Sequence, residues 1–313
     1  MIQATILLPT ATKHLLSTPR MSSRSMAKAI DLLERWYILL EQEIAYQPMN
    51  YLSLPPENAT VTDEITFTQQ AKTAQRSKLF SWMYHLVDKH YLDRELVAIA
   101  ASFMDRFLCK NLSINRMDMQ LVGMTSLYVA IKLYRDQGKY AGVASFAGLS
   151  RGVFSEQEII KMEWKMLNVL DWRMSPPTVF TFTPLLKSFI PRGACYPFSR
   201  RTLIERIRYL LELSITLPFF LTKKPSNIAI ASFLEIMESQ EQPNVSEPKH
   251  QAHFKRCIWS LAGIDSDSDE VTECRNVLKR IQREASIELK KQESPNVAAK
   301  TSSDAITTAI VSP

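Results

Sequence analysis

The chain has 313 residues, 46% of them hydrophobic and 22% charged, so it can form two globular domains with sizeable cores. Glycine is scarce at 7 residues and helix formers are plentiful, a composition that favours an all-α fold. The net charge of +6 is modest and scattered, which argues against a nucleic-acid partner, and no window is apolar enough to span a membrane.

Catalytic and metal-binding motifs are absent or incomplete. The four cysteines lie far apart without a CxxC pair, which is typical of reduced thiols inside cells. His250, His253 and Cys257 share one predicted helix face at a spacing compatible with metal binding, but no fourth ligand is evident nearby. The chain has no Gly-rich phosphate loop, HExxH or GxSxG motif, so we predict neither an enzyme nor a bound cofactor or metal.

The first 68 residues are predicted to contain an arm, one helix and a linker. Residues 1–26 lack acidic residues and are rich in Ser and Thr, a composition shared by organellar transit peptides and disordered arms. We expect a disordered arm and a nuclear or cytoplasmic protein. Over residues 27–68, helical spacing predicts an amphipathic helix that ends at Pro48, followed by a turn-rich linker. Such a helix docks on its own domain or presents a face to a partner; its apolar positions are Ile30, Leu33, Tyr37, Leu40 and Ile44.

Residues 69–173 show a five-helix pattern. The first helix is predicted over residues 71–90, and the second follows a cap at Asp93. The third, over residues 119–134, is apolar on nearly every side, which indicates a central buried helix. A short helix precedes the fifth, which begins at a capping box of Ser155 and Glu158.

Residues 174–291 repeat this plan after a break at Pro176 and Pro177. The third helices of the two halves lie about 105 residues apart, which indicates two successive five-helix units. The polar tail, residues 292–313, is predicted to be disordered.

Two pairs of opposite charges stand out. Lys132 lies on the central helix and Glu163 lies in the apolar stripe of the fifth helix, where single charges are costly. They suggest either an ion pair within the chain or two groups that meet the backbone of a partner, and the residues alone leave both open. Arg76 and Asp105 would meet if the first two helices are antiparallel, so we predict an internal ion pair that fixes their packing.

Three segments in order, RSKLFSWMYHLVDKHYLDRELVAIAASFMDRFL, MQLVGMTSLYVAIKLY and KMEWKMLNVLDW, resemble the cyclin box of the cyclin family. A later segment, YLLELSITLPFFLTKKPSNIAIASFLEIME, is similar to the C-terminal cyclin fold, and the resemblance covers roughly residues 27–278. It implies two tandem five-helix cyclin folds preceded by an N-terminal amphipathic helix. The cyclin box would occupy residues 69–173 and the C-terminal cyclin fold residues 174–291.

The resemblance implies roles for five residues. Arg76 and Asp105 correspond to the internal bridge of the family. Lys132 and Glu163 match the lysine and glutamate that contact the kinase near its C helix, and Leu121 matches the central-helix leucine assigned to the same surface. The resemblance thus favours an interface pair for Lys132 and Glu163.

The family also has a docking patch for Arg-x-Leu motifs, and five residues match its positions. Leu79, Trp82 and Gln120 are retained, whereas Gln75 and Lys78 replace apolar residues. Lys78 would place a charge in the groove that receives the leucine of the motif and would repel its arginine. The resemblance therefore implies a weakened patch for substrates or inhibitors.

Taken over its whole length, the resemblance implies that the protein is the non-catalytic activating subunit of a cyclin-dependent protein kinase. Such a subunit would bind the kinase, order its C helix and regulate cell-cycle progression. The alternative is a cyclin-fold adaptor of the transcription-factor or pocket-protein type that binds peptide or DNA without a kinase. That alternative predicts basic residues on one face of a repeat that reach a groove of the DNA. It also predicts that the binding affinity depends strongly on salt.

Overall fold

The computed structural model describes residues 23–53, 63–112, 114–134, 142–190, 199–239 and 249–284. These residues form α-helices and short turns and contain no strand, which confirms the all-α fold class. Most of the predicted N-terminal arm and all of the predicted C-terminal tail lie outside them. None of the described helices is long and apolar enough to cross a membrane.

The helices are numbered here in chain order. A single N-terminal helix is followed by two sets of five, and the second set also contains a 3-10 turn at Pro218–Thr222 and a π turn at Ile258–Ala262. The helices are α1 (Ser23–Tyr46), α2 (Asp63–Lys89), α3 (Glu95–Cys109), α4 (Arg116–Tyr134), α5 (Val143–Leu149), α6 (Glu156–Val169), α7 (Thr183–Phe189), α8 (Arg200–Thr216), α9 (Pro225–Ser239), α10 (Lys249–Cys257) and α11 (269–284).

Helix α2 begins earlier than its sequence pattern indicates. It starts at Asp63, eight residues before the predicted start at Ala71, and Arg76 therefore lies in its middle rather than at its beginning. The first two turns, DEITFTQQ, contain two apolar residues, Ile65 and Phe67, which do not recur at helical spacing. Without an apolar repeat in the sequence, the periodicity assigned these turns to the linker.

The buried residues form two clusters. One joins α2, α3, α4, α5 and α6; the other joins α7, α8, α9, α10 and α11 with the apolar face of α1. Helix α4 is the centre of the first cluster, and α2 approaches it closely at Gly123, where a Cβ atom would lie 3.0 Å from Leu79 Cδ1. The small residue thus permits the close contact of the two helices.

Helix α1 packs on the second set of helices. Trp36 is buried, and its indole Nε1 donates to the carbonyl oxygen of Ala262 at 3.0 Å. The Tyr37 hydroxyl donates to the carbonyl of Leu261 at 2.7 Å. Ile44, predicted to lie on the apolar face, is instead 68% exposed, while the neighbouring Glu43 is buried, so the covered face at the end of α1 runs through Glu43.

A polar network joins the two sets of helices. The carboxylate of Glu212 on α8 lies 2.8 Å from Nε of Arg94 and 3.1 Å from Nε of Arg208. Arg208 also reaches Asp93 at 2.7 Å, and the hydroxyl of Tyr84 donates to the Glu212 carbonyl at 3.2 Å. These contacts link α2 and the start of α3 to α8, so the network fixes one set of helices against the other.

Candidate functional site

Lys132 and Glu163 meet at the surface of the first set of helices. Lys132 Nζ lies 2.8 Å from Glu163 Oε1, and the hydrogen bond to Glu163 raises the pKa of the Lys132 ammonium. The Lys132 side chain is 54% exposed and that of Glu163 is 13% exposed. Of the two readings that the residues left open, the ion pair within the chain is thus present, and one face of it remains open to a partner.

Local sequence features fix the positions of Lys132 and Glu163 on their helices. Glu163 lies on α6, which begins at Ser155: the Ser155 side chain accepts from the backbone N–H of Glu158, and the Glu158 carboxylate accepts from that of Ser155. This is the predicted capping box. Lys132 lies in the last turn of α4, where a cation is favoured by the helix dipole.

Exposed apolar side chains lie next to Lys132 and Glu163 on their two helices. Leu133 follows Lys132 and is 50% exposed; Ile160 and Trp164 lie on α6 within one turn of Glu163 and are 49% and 61% exposed. The ring of Trp164 meets that of Trp172 edge to face, with centroids 6.1 Å apart. Exposed apolar side chains grouped around a polar centre are typical of protein-binding surfaces.

The segment that carries Trp172 is held by specific contacts. Asp171 and Trp172 follow α6 with φ angles of 52° and 55°, the left-handed region that non-glycine residues seldom adopt. Lys110 Nζ donates to the carbonyl of Val169 at 2.7 Å, and Arg106 donates to that of Arg173 at 3.0 Å. Lys110 thus binds a free carbonyl at the end of α6 and Arg106 binds one just after the turn, so together they hold the Trp172 turn in place.

Three of the other predicted site residues, Arg76, Asp105 and Leu121, lie inside the protein. Arg76 and Asp105 form the predicted ion pair, with Nη2 and Oδ2 2.8 Å apart and both side chains buried. Leu121, predicted to bind the kinase, is only 8% exposed and belongs to the first buried cluster. Its side chain therefore packs within the fold, and its assignment to the kinase surface stays a prediction.

The five predicted docking-patch residues line one groove between α2 and α4. Leu79 is buried, Trp82 is half-buried, and Lys78 and Gln120 are exposed. The Gln75 amide donates to the carbonyl of Arg116 at 2.7 Å and so faces α4. The full lining is Gln75, Lys78, Leu79, Trp82, Arg116, Gln120, Met124, Leu149, Ser150 and Arg151.

The histidines and cysteine of α10 form a contact but no complete metal site. His253 Nε2 lies 3.4 Å from Cys257 Sγ, while the side chain of His250 lies outside the described residues. Among the described residues no group of three or more His, Cys, Asp or Glu side chains could hold a metal ion.

Sequence reasoning found the two ion pairs but missed residues around them. Tyr51 was not singled out, yet its hydroxyl donates to Asp105 Oδ1 at 2.8 Å. Trp164, next to Glu163, and Trp172 were not recognised as exposed. The signal available was the position of Trp164 outside the apolar stripe of α6, which predicts an exposed tryptophan.

The family model described as "Cyclin, N-terminal domain" matches residues 47–175. The chain is 34% identical over 158 residues to the putative cyclin-F3-2 of Oryza sativa subsp. japonica, and 28% identical over 229 residues to the G2/mitotic-specific cyclin C13-1 of Daucus carota. These matches cover 50% and 73% of this chain but 37% and 60% of the relatives, so the chain spans less than two thirds of their length.

Two solved structures are similar in fold. The viral cyclin from herpesvirus saimiri superposes with a TM-score of 0.57 at 20% identity, covering 78% of this chain and 95% of that one. A chain of the CAK complex of Chaetomium thermophilum, bound to ATP-gamma-S, superposes with a TM-score of 0.50 at 14% identity, covering 89% and 80%. At these identities the similarity shows the fold alone, and it is the fold of a cyclin.

Proposed function

The chain is a member of the cyclin family, and we propose that it is the non-catalytic activating subunit of a cyclin-dependent protein kinase. The names of its relatives, mitotic and G1/S-specific cyclins among them, support a role in cell-cycle progression. The observation that carries the proposal is the Lys132–Glu163 pair, exposed on one side and set among apolar side chains.

The pair suits recognition of a partner backbone. An ammonium has three donors, and Glu163 occupies one of them, so Lys132 keeps two for carbonyl oxygens of a bound kinase. Holding Lys132 against Glu163 restricts its rotamers before the partner arrives, which lowers the entropy cost of binding. Ile160, Leu133 and Trp164 would supply the apolar contact around these polar bonds.

Binding would act on the kinase by population shift. A kinase with its C helix displaced lacks the lysine–glutamate pair that positions ATP. A rigid surface that binds the inward position of the C helix more tightly than the displaced one stabilises the active state. The stabilisation equals the difference in binding free energy between the two states of the kinase. Helices α4 and α6 would provide that surface, since their packing on one core fixes the relative position of Lys132 and Glu163.

The proposal predicts that Lys132→Ala and Glu163→Ala each abolish co-purification of a kinase subunit from cell extract. The pair lies at the surface with the Lys132 side chain 54% exposed, so the melting temperature should change little. The matched control is Lys161→Ala, an exposed lysine two residues from Glu163 and about 200° around α6. Kinase recovery and histone kinase activity at the control level in either variant would contradict the proposed interface.

A further inference from the structure

Three cations border the proposed kinase surface at the turn that follows α6. They are Arg106 and Lys110 on α3 and Arg173 in the turn itself, and we call these three residues the cationic rim. We propose that the cationic rim selects a kinase whose contact surface is bordered by aspartate or glutamate side chains, because it binds their carboxylates. The inference rests on the proposed function, since it names the chemistry of the kinase that the Lys132–Glu163 surface would bind.

An aromatic contact joins the cationic rim to the kinase surface on α6. Arg173 follows Trp172, whose ring meets that of Trp164 edge to face with centroids 6.1 Å apart. Trp164 is the residue after Glu163, and both tryptophans are exposed. Exposed aromatic surface therefore connects Glu163 to Arg173.

A hydrogen bond joins the cationic rim to the end of α4 as well. The hydroxyl of Tyr134, two residues after Lys132, donates to the carbonyl of Met174 at 2.7 Å. Met174 is the residue after Arg173. The turn is thus attached to both helices that carry the ion pair, and a partner that covers Lys132 would lie close to Arg173.

The cationic rim carries more positive charge than its carboxylate contact balances. Lys110 Nζ lies 3.1 Å from Asp171 Oδ2 in a surface pair whose side chains are 54% and 69% exposed. Arg106 and Arg173 form no ion pair with any residue that the structure describes. Burial lowers the pKa of Arg106, and the nearby charge of Arg173 lowers it further, as expected where two cations lie close together. The excess positive charge attracts an anionic partner and repels a cationic one.

Two members of the cationic rim are held in place, and the third is free to bind. Arg106 Nη1 donates to the Arg173 carbonyl at 3.0 Å, and its guanidinium lies 4.5 Å from the centre of the Tyr46 ring. Lys110 Nζ donates to the Val169 carbonyl at 2.7 Å. The exposed Arg173 side chain has no hydrogen-bond or ion-pair partner within the described ranges, so its guanidinium keeps its donors for a carboxylate.

Other occupants fit the cationic rim less well. Duplex nucleic acid would need a longer stripe of cations along its backbone than three side chains around one turn. The acidic run of the chain itself, 265–270, belongs to the second set of helices and is already engaged, since Asp267 pairs with Lys255 at 2.5 Å. The kinase would already cover the adjoining ion pair, so its carboxylates are the occupant that the observations favour.

The first test uses the full chain and the kinase subunit that co-purifies with it from cell extract. The variant Lys110→Gln/Arg173→Glu lowers the charge of the rim and keeps an amide at position 110 that can donate to the Val169 carbonyl. In surface plasmon resonance at about 50 mM salt, its association rate constant should fall at least about tenfold and its dissociation rate constant should change less than about threefold. The difference in association should shrink at about 500 mM salt, because salt screens exposed charges.

The second test asks which groups of the kinase lie at the cationic rim. The variant Arg173→Lys keeps the positive charge and supplies a primary amine. A water-soluble carbodiimide activates a carboxylate, and an amine in contact with it displaces the activating group as a urea and forms an amide bond. Mass spectrometry of the treated complex should find the lysine of this variant joined to an aspartate or glutamate of the kinase.

The matched control is Lys89→Gln/Arg280→Glu, which makes the same change of charge on exposed cations at the end of α2 and on α11. It should associate with the kinase within about twofold of the unaltered chain, and thermal melting should show that all variants are folded.

Association of the rim variant at the control rate would overturn the inference and leave the proposed function standing, provided that Lys132→Ala still loses the kinase. A cross-link of Arg173→Lys to no kinase carboxylate would overturn it too, as would loss of duplex DNA binding by the rim variant with unchanged kinase association. Absence of any kinase from the material that co-purifies with the unaltered chain would overturn the proposed function and this inference together.

Discussion

Arg76 and Asp105 form a buried ion pair in which nearly every polar atom has a partner. Arg76 Nε donates to Asp105 Oδ1 at 2.9 Å, Nη2 donates to Oδ2 at 2.8 Å, and Nη1 reaches the Thr216 carbonyl at 3.3 Å. The guanidinium also lies 4.4 Å from the centre of the Phe80 ring. Burial and the Asp105 carboxylate raise the pKa of Tyr51 well above its usual value, so its hydroxyl stays protonated and donates to Asp105.

We predict that Arg76→Met lowers the free energy of unfolding by about 3–5 kcal/mol, because it leaves the Asp105 carboxylate buried without a counter-charge. The double variant Arg76→Met/Asp105→Leu should recover part of this loss, since it removes the uncompensated charge and leaves only neutral groups, the Tyr51 hydroxyl and the Thr216 carbonyl, without these partners. Urea unfolding followed by circular dichroism measures both differences.

The control for this cycle is Arg201→Met, which removes an 88% exposed arginine paired with Glu205 on α8. This variant should lower the free energy of unfolding by at most about 1 kcal/mol, as for other surface ion pairs. A single Arg76 variant no less stable than this control would show that the pair does not fix the packing of α2 on α3.

At the scale of the element, helix α1 is fastened to α9 by a buried carboxylate. Glu43 accepts from the backbone N–H of Ser226 at 3.0 Å and from its hydroxyl at 2.8 Å. Ser226 lies in the first turn of α9, so Glu43 satisfies a free N–H group there and lies at the positive end of the helix dipole. Burial outweighs these contacts and raises the pKa of Glu43 to about 6.

This pKa predicts how pH affects the docking of α1. The folded protein binds a proton at Glu43 more tightly than the unfolded chain, whose carboxyl has the ordinary pKa of 4.5. The stabilising contribution is therefore complete below pH 4.5 and is lost as the pH rises through about 6. Glu43→Gln cannot ionise, so its stability relative to the unaltered chain should increase by about 2 kcal/mol across this window. Urea unfolding at a series of pH values measures the difference, and a constant difference would contradict the prediction.

The periodicity of apolar residues predicted most helices of this fold, but it did not predict which helices pack against each other. The stripe through Leu33 and Tyr37 predicted α1, yet nothing in a stripe tells which surface will cover it, and that surface is the second set of helices. The Lys132–Glu163 and Arg76–Asp105 pairs were predictable because charges on apolar faces are rare. The groove cations Arg116 and Arg151 were not, since they come from a helix start and a distant loop that only the folded chain brings together.

At the scale of the whole molecule, charged side chains join the two sets of helices in addition to the apolar contacts that Ala98 and Leu221 make across the junction. Glu212 is 8% exposed and contacts Arg94 and Arg208, which come from different sets. Arg94 also lies 4.5 Å from the centre of the Tyr84 ring and reaches Asp88 at 2.7 Å. Neutralising Glu212 would leave two arginines close together in a partly buried place, where their repulsion is weakly screened.

We therefore predict that Glu212→Gln uncouples the unfolding of the two sets of helices. The variant should melt at a lower temperature, and its calorimetric enthalpy should exceed the van't Hoff enthalpy, because the sets no longer unfold in one cooperative step. Differential scanning calorimetry measures both quantities. Glu205→Gln is the matched control, since Glu205 lies on the same helix, is 60% exposed and forms a surface ion pair with Arg201 one turn away. A single transition at the control temperature for Glu212→Gln would show that the other contacts between the two sets of helices couple their unfolding without Glu212.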